Sequence, residues 1–328
     1  MRIAVTGSIA TDHLMTFPGR FTEQLIADRL DRVSLSFLVD TLEVRRGGVA
    51  ANIAYGLGRL GLRPLLVGAA GPDFTDHRSW LEANGVDTAP VRISTTLPTA
   101  RFVCTTDADH NQIASFYRGA MAEAADIPLA PLLSGPGAPD LVVVSPDDPV
   151  AMEQHTRECR ELGVPFVADP SQQLATLDGE TARFLVEGAQ VLFTNEYEAD
   201  LLQQRTGWTR PAVLKRVGSW VTTLGERGAV IESASTLRVA VPAVRTERAL
   251  DPTGVGDAFR AGFLAGVSLT LSGERSAQLG CALATLALES TGPQEYALAD
   301  ADALLTRIGE VYGPDAARGI RARFVRVS

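Results

Sequence analysis

The sequence predicts an α/β fold, a doubly wound and mostly parallel sheet flanked by helices, with a small β-sheet lid. Three observations predict it. Short β-rich runs alternate with helix-like segments. Most of those runs are continuously apolar, as strands buried on both faces should be. Two other segments, 33–46 and 99–120, instead alternate polar and apolar residues.

The apolar runs are RIAVTG (2–7), PLLVGAAG (64–71), DLVVVSP (140–146), VPFVADP (164–170), VLFTN (191–195), WVTTLG (220–225) and AVIES (229–233). Helical spacing appears in Ile53, Leu57 and Leu60, and in the long pair Ala258–Leu271 and Glu274–Leu288. Ligands of such sheets gather at the carboxyl ends of the strands. Ser8, Asp12, Asp169, Asn195 and Thr223 fall there. The segment 99–120 reads as a hairpin turning at DADHNQ. Half-polar strands inserted into an α/β unit suggest a lid, which excludes water from reactions that water would spoil. The expected organisation is one unit over 1–328, with lid segments near 12–46 and 99–119.

The chain of 328 residues is long enough for a large core. Its net charge of −9 disfavours a general nucleic-acid binder. Lys215 is the only lysine, and no Gly-Lys-Ser/Thr phosphate loop surrounds it. Cys104, Cys159 and Cys281 are odd in number and far apart, which argues against a disulfide framework and a zinc site. His13, His77, His110 and His155 are scattered, and packed or solvated roles are expected of them. No signal peptide and no run of membrane-spanning length is evident. A cytoplasmic protein without nucleic-acid or membrane partners is expected.

The stretch DPTGVGDAF, 251–259, carries the most chemistry. Two glycines precede an apolar helix, whose free N–H groups suit an anion. The amides of Gly254, Val255 and Gly256 could form an anion hole, with Asp257 at its edge. A carboxylate there could accept a proton from an attacking hydroxyl while the amides stabilise charge on a phosphoryl group. Asp257 could equally cap the helix. Upstream, Gly47 and Gly48 allow close backbone approach, and Asn52 sits in the first turn of an otherwise apolar helix. Asp12 could accept hydrogen bonds from two vicinal hydroxyls, or form a turn. Asn195 and Glu198, three apart after a strand, suit water-mediated magnesium or a capping box. Thr223, Gly225 and Gly228 could contact nucleotide phosphates, or make a plain turn.

In this order the motifs resemble those of the ribokinase-like, phosphofructokinase-B family of sugar and nucleoside kinases, from about Ile3 to Gly292. Within it the nearest likeness is to adenosine kinases of the actinobacterial type, carried by AVTGSIATDHL, VSLSFLVD, ADPSQQL and DPTGVGDAFRAGFL. The resemblance implies ATP-dependent phosphorylation of the adenosine 5′-hydroxyl. It implies Asp257 as base, Gly254–Gly256 as anion hole, and Asp12, Gly48 and Asn52 on substrate hydroxyls. Phe102 and Phe116, on the two hairpin arms, could sandwich a purine. Gln172, Gln173, Ser8 and Ser36 are candidates for its polar edge. Asn195, Thr223, Gly225, Gly228 and Gly256 would hold ATP, with Asn195 and Glu198 near Mg²⁺. Potassium is implied beside Asp251, Thr253 and the backbone of Ser290–Gly292, and a homodimer through the lid. A kinase for ribose or another nucleoside is the alternative, as is a non-catalytic nucleoside sensor. A nicotinamide oxidoreductase is disfavoured, because no G-x-G-x-x-G follows the first strand.

Overall fold

The computed structural model describes residues 1–24, 36–298 and 301–324. Its largest sheet has eight strands, and its second has four. In chain order the strands are β1 Ile3–Thr6, β2 Ala10–Thr16, β3 Thr41–Gly47, β4 Leu65–Val67, β5 Ala69–Ala70, β6 Arg92–Ile93, β7 Ala100–Thr106 and β8 Gln112–Tyr117. Then follow β9 Leu141–Val144, β10 Phe166–Ala168, β11 Val191–Asn195, β12 Ser219–Thr223, β13 Ala229–Glu232 and β14 Val239–Val241.

The large sheet runs β14-β13-β12-β11-β10-β9-β1-β4. Strands β4 through β12 in that order are parallel, and β13 is antiparallel to both its neighbours. Alternate side chains feed two cores. Val5, Val143, Val167 and Phe193 pack against helices Val49–Arg59, Val255–Ser268 and Gly273–Leu288. Ala4, Val142, Phe166 and Leu192 pack on the other side, with Met152, Leu185 and Leu202. Burial on both faces is why the strands read as unbroken apolar runs. The run 64–71 divides at Gly68 into β4 and β5, and β5 pairs with β6 rather than joining the large sheet.

The four-stranded sheet runs β3-β2-β7-β8. Its hairpin β7–β8 falls where the alternating pattern predicts, and Asp107 organises the turn by accepting N–H bonds from Asp109 and Asn111. The predicted strand over 33–46 is shorter, starting at Thr41, and its first residues lie outside the described ones. Strand β2 also belongs to this sheet. It is parallel to β7 and antiparallel to β3, so the sheet is mixed. Among the described residues no helix is long and apolar enough to cross a membrane.

Candidate functional site

Two connections bring the small sheet to the carboxyl ends of the large one. Strand β1 passes to β2 through Gly7–Ile9, and β3 passes to helix Val49–Arg59 through Gly48. Gly48 has φ +95°, and a Cβ there would lie 2.6 Å from the Ser8 carbonyl oxygen and the Ala10 nitrogen. A Cβ on Gly47 would meet the Asp12 carboxylate at 2.6 Å. The pair therefore lets β2 press its carboxylate against the turn that starts the helix.

The helix Val255–Ser268 begins on Gly254, in the left-handed region at φ +75°, with no side-chain cap. A Cβ on Gly254 would stand 2.3 Å from Pro293. The Val255 amide leans on the Pro252 carbonyl at 3.3 Å. Among the described residues, the amides of Gly254, Gly256 and Asp257 meet no acceptor. An uncapped, glycine-opened helix end presents donors and a positive dipole to an anion.

Asp257 is half-buried at this end and does not cap the helix. Asn52 Nδ2 donates to its Oδ2 at 2.8 Å. Desolvation raises its pKa; Arg260 and the Asn52 donor pull the other way, and Glu198 adds to the rise. Burial thus gives the carboxylate a higher proton affinity than in water, which suits a general base. One turn on, the Arg260 guanidinium pairs with the fully buried Asp169, with Nη2 donating to Oδ1 at 2.8 Å and Nε 2.6 Å from Oδ2. Burial disfavours the Arg260 charge, but the carboxylates of Asp169, Asp257 and Glu198 outweigh it. The sequence signal was present: one arginine inside an apolar helix needs a buried partner.

Asp12 is 8% exposed, yet among the described residues no hydrogen bond reaches its carboxylate. Burial first, then the charge of Asp257, raise its pKa to about 6, while Arg45 opposes the rise. In register, Asp12 stands beside Arg45 and Phe102, and Phe102 beside Phe116. Neighbours in register project from the same face. Phe102 and Phe116 are therefore side by side and cannot enclose a base between them. They form one wall, with Phe116 47% exposed.

Several other candidates have their side chains engaged elsewhere. Ser8 Oγ accepts from the Val49 amide at 3.1 Å, which satisfies a helix end and leaves its O–H as the donor. Gln173 donates to the Asp147 carbonyl at 2.6 Å. Gln172 is exposed on the same short turn, and Ser36 is exposed ahead of β3; among the described residues neither has a hydrogen bond tying it to the cluster. Asn195 and Glu198 form the capping box, with both reciprocal bonds at 2.7 Å, and Ser171 Oγ donates to the second Glu198 oxygen at 3.2 Å. Of the two readings of this pair, the capping box is formed. Asn195 is in register with Thr223. Beyond Thr223, Gly225 and Gly228 close the turn into β13, and Arg227 ties it to Glu196 at 2.6 Å. Asn195, Thr223, Gly225 and Gly228 thus lie together at the ends of β11 and β12, and Gly256 lies in the first turn of the Val255–Ser268 helix.

Asp251 does not fit the expected potassium site. Its Oδ1 accepts from the Thr253 amide at 2.9 Å, and its Oδ2 from the Gly292 amide at 3.0 Å and Arg45 at 2.5 Å. Both oxygens are thus engaged, and a second cation on Oδ2 would be repelled by the Arg45 charge already paired with it. The Arg45 guanidinium, carried by β3, already supplies the positive charge.

His77, expected only to be packed or solvated, and Gln294, which no sequence signal singled out, also join the cluster. His77 Nε2 lies 3.0 Å from Gln294 Oε1, and Gln294 Nε2 donates to Asn52 Oδ1 at 2.9 Å. No spacing could signal contacts made 217 and 242 positions apart.

Residues 6–300 match the pfkB family carbohydrate kinase profile. A nucleoside kinase of Methanothermobacter thermautotrophicus is 30% identical over 274 residues, 81% of this chain and 86% of that protein. The structure of Burkholderia thailandensis nucleoside kinase in complex with inosine superposes with a TM-score of 0.84 at 36% identity, over 95% of this chain and 98% of that one. The adenosine kinase from Sinorhizobium meliloti shares the fold, with a TM-score of 0.71 at 21% identity over 90% of this chain and 96% of that one. The site described above thus lies within a match that covers most of the sequence, and the chain belongs to the pfkB family of carbohydrate kinases.

Proposed function

We propose that the protein is an ATP-dependent nucleoside kinase that transfers the γ-phosphoryl group of ATP to the 5′-hydroxyl of adenosine, giving AMP and ADP. The observation that carries this reading is the placement of Asp257 beside the unsatisfied amides of the Val255–Ser268 helix. Asp257 takes the hydroxyl proton as oxygen attacks phosphorus, and the amides of Gly254, Val255 and Gly256 stabilise the charge on the transferred group. No covalent enzyme intermediate is required.

Asp12 accepts hydrogen bonds from the ribose hydroxyls, the need its unpartnered carboxylate leaves open. Gly48 lets the sugar approach the backbone, and Asn52 has one N–H left for it, since its other amide positions are engaged. Phe102 and Phe116 offer the purine an aromatic platform. Thr223, Gly225, Gly228 and Asn195 face the ATP phosphates. Among the described residues no group of three His, Cys, Asp or Glu side chains could hold a metal directly. Glu198 and Asn195 keep free lone pairs and fit a magnesium ion held mainly by ATP and bridged to them by water. That ion would neutralise phosphate charge. With Arg45 beside Asp251, the reading needs no potassium.

The four-stranded sheet acts as a lid, and its other face as a homodimer contact. Leu42, Val44 and Ile113 are 59%, 58% and 48% exposed, and by alternation lie on the face opposite Asp12. Molar mass by light scattering tests that contact.

Inosine is the second substrate reading, favoured by the inosine complex of the Burkholderia relative. A coupled phosphorylation assay across adenosine, inosine, guanosine and ribose tests both. Preference for ribose, or no turnover on any nucleoside, would reject the proposal.

A further inference from the structure

Four chain segments meet in a line of hydrogen bonds that ends on Asp257. His77 comes from helix Thr75–Ala83, Gln294 from the loop after helix Gly273–Leu288, and Asn52 from helix Val49–Arg59. His77, Gln294 and Asn52 are 4%, 1% and 5% exposed, so water does not compete for these bonds. Their polarity follows from which atoms touch. Asn52 gives N–H to Asp257 at 2.8 Å, so its oxygen faces inward, where the Gln294 amide donates to it at 2.9 Å. The Gln294 oxygen then faces His77 Nε2 at 3.0 Å, and only a protonated Nε2 can complete that bond. The other ring nitrogen, Nδ1, is buried without a partner, as expected of the unprotonated side of a neutral imidazole.

An asparagine amide has two nearly isosteric orientations. Turned over, Asn52 would aim its oxygen at the Asp257 carboxylate. We infer that His77 and Gln294 are positioning residues, which lock Asn52 with its N–H toward Asp257 and so keep that carboxylate ionised and aligned. The inference rests on the reading of Asp257 as the base.

The surroundings agree with it. Burial, with Arg46 nearby, lowers the His77 pKa to about 4, although the Gln294 bond opposes this, so the imidazole is neutral near pH 7. Arg46 itself stacks on Trp80 and pairs with Glu295. Asp257 is faced by Arg260 of its own helix, Glu198, Asp169, Asp12 and the Tyr296 ring. Of these only Arg260 favours its ionised form, so the Asn52 donor is the second group that does.

The test compares His77→Leu and Gln294→Met, which break the line, with His77→Gln, whose amide can still donate to Gln294. In kcat/KM against pH, the acid limb of both breaking variants should move upward, giving about tenfold lower activity on that limb, as one unit of proton affinity requires. Their ATP KM should stay within about twofold, a margin well under 1 kcal/mol, and His77→Gln should keep the wild-type profile. Folded breaking variants with an unmoved acid limb would overturn the inference. If a breaking variant does not fold, nitrogen-15 NMR of the histidine-labelled wild-type chain decides, with His77→Gln assigning the signal. A neutral Nε2–H tautomer between pH 6 and 8 is expected; an Nδ1–H tautomer or an imidazolium overturns the inference. Near-normal turnover of Asp257→Asn would instead reject the base, leaving the tautomer measurement intact.

Discussion

The two ends of the cleft differ in how finished they are. At the phosphoryl end, Asp257 is held by Asn52, Asn52 by Gln294, and Asp169 by Arg260. At the nucleoside end, Asp12 is enclosed yet unpartnered, and Phe116 stands half in solvent. One end resembles a rigid tool, and the other a surface waiting for a ligand. The difference has a physical logic. Charge stabilisation in a transition state gains most from groups that need no reorganisation. A base platform gains from releasing water when the ligand arrives.

The sharpest way to break that comparison is at the finished end. Asp257→Asn should lower turnover by roughly 10²–10⁴-fold, the usual worth of a general base. Nucleoside affinity, measured by calorimetry, should change much less. Near-normal turnover would mean that the prebuilt network serves only the fold.

The open end should respond in KM instead. Base–aromatic stacking is worth roughly 1–3 kcal/mol per base, so Phe102→Ala or Phe116→Ala should raise the adenosine KM by about 5- to 150-fold. Melting temperatures must first establish that each variant folds. Because the rings form a single wall, the two losses should not be equal, and half-buried Phe102 should matter more. Any slow turnover of ribose should survive both. Unchanged KM values would remove the aromatic platform.

The same contrast explains what could be read from the sequence. The strand–helix alternation, the glycine-opened helix and Asp257 were legible because each is local. An unbroken apolar run means burial on two faces, and a Gly-Val-Gly before an apolar helix means an uncapped end. Side-chain orientation was not local. Phe102 and Phe116 were placed on the right hairpin, but only the register shows that they share a face. Ser8 and Gln173 sit at the expected strand ends, yet their polar atoms satisfy Val49 and Asp147. The side-chain partners of Asn52, and the Arg45 partner of Asp251, lie more than two hundred residues away, which no periodicity encodes.

Arg45 joins the two ends, since it flanks Asp12 in register and pairs with Asp251 beside the helix end. Arg45→Ala should lower kcat by about fivefold, the factor corresponding to about 1 kcal/mol in a partly exposed ion pair. The wild-type chain should turn over at equal rates in sodium, potassium and tetramethylammonium buffers. Strong activation by potassium alone would mean that Arg45 leaves Asp251 during catalysis and that the guanidinium is not the resident charge.

The last test, read in stability and not in turnover, asks whether an unpartnered carboxyl always means a waiting ligand. Asp147, just beyond β9, is 1% exposed, and one of its oxygens has no partner. Its other oxygen accepts the Asp148 amide at 2.8 Å. It is more deeply buried than Asp12, so it should affect stability and not binding. Burial raises its pKa to about 8, with the Asp148 amide opposing and the Asp148 charge adding. The folded chain therefore keeps this proton up to about pH 8, while the unfolded chain releases it near 3.8, the ordinary value of an aspartate side chain. Between those limits the unfolded state binds fewer protons, so the wild type loses stability as pH rises. Asp147→Asn has nothing to titrate and keeps an oxygen for the Asp148 amide. Its melting temperature should gain on the wild type from about pH 4 to 8 and then hold level, at roughly 2–4 °C per kcal/mol. The adenosine KM should not move. A stability difference independent of pH would show that Asp147 is already ionised in the fold. A raised KM would make it part of the nucleoside end, and the division between a finished and an open half would have to be redrawn.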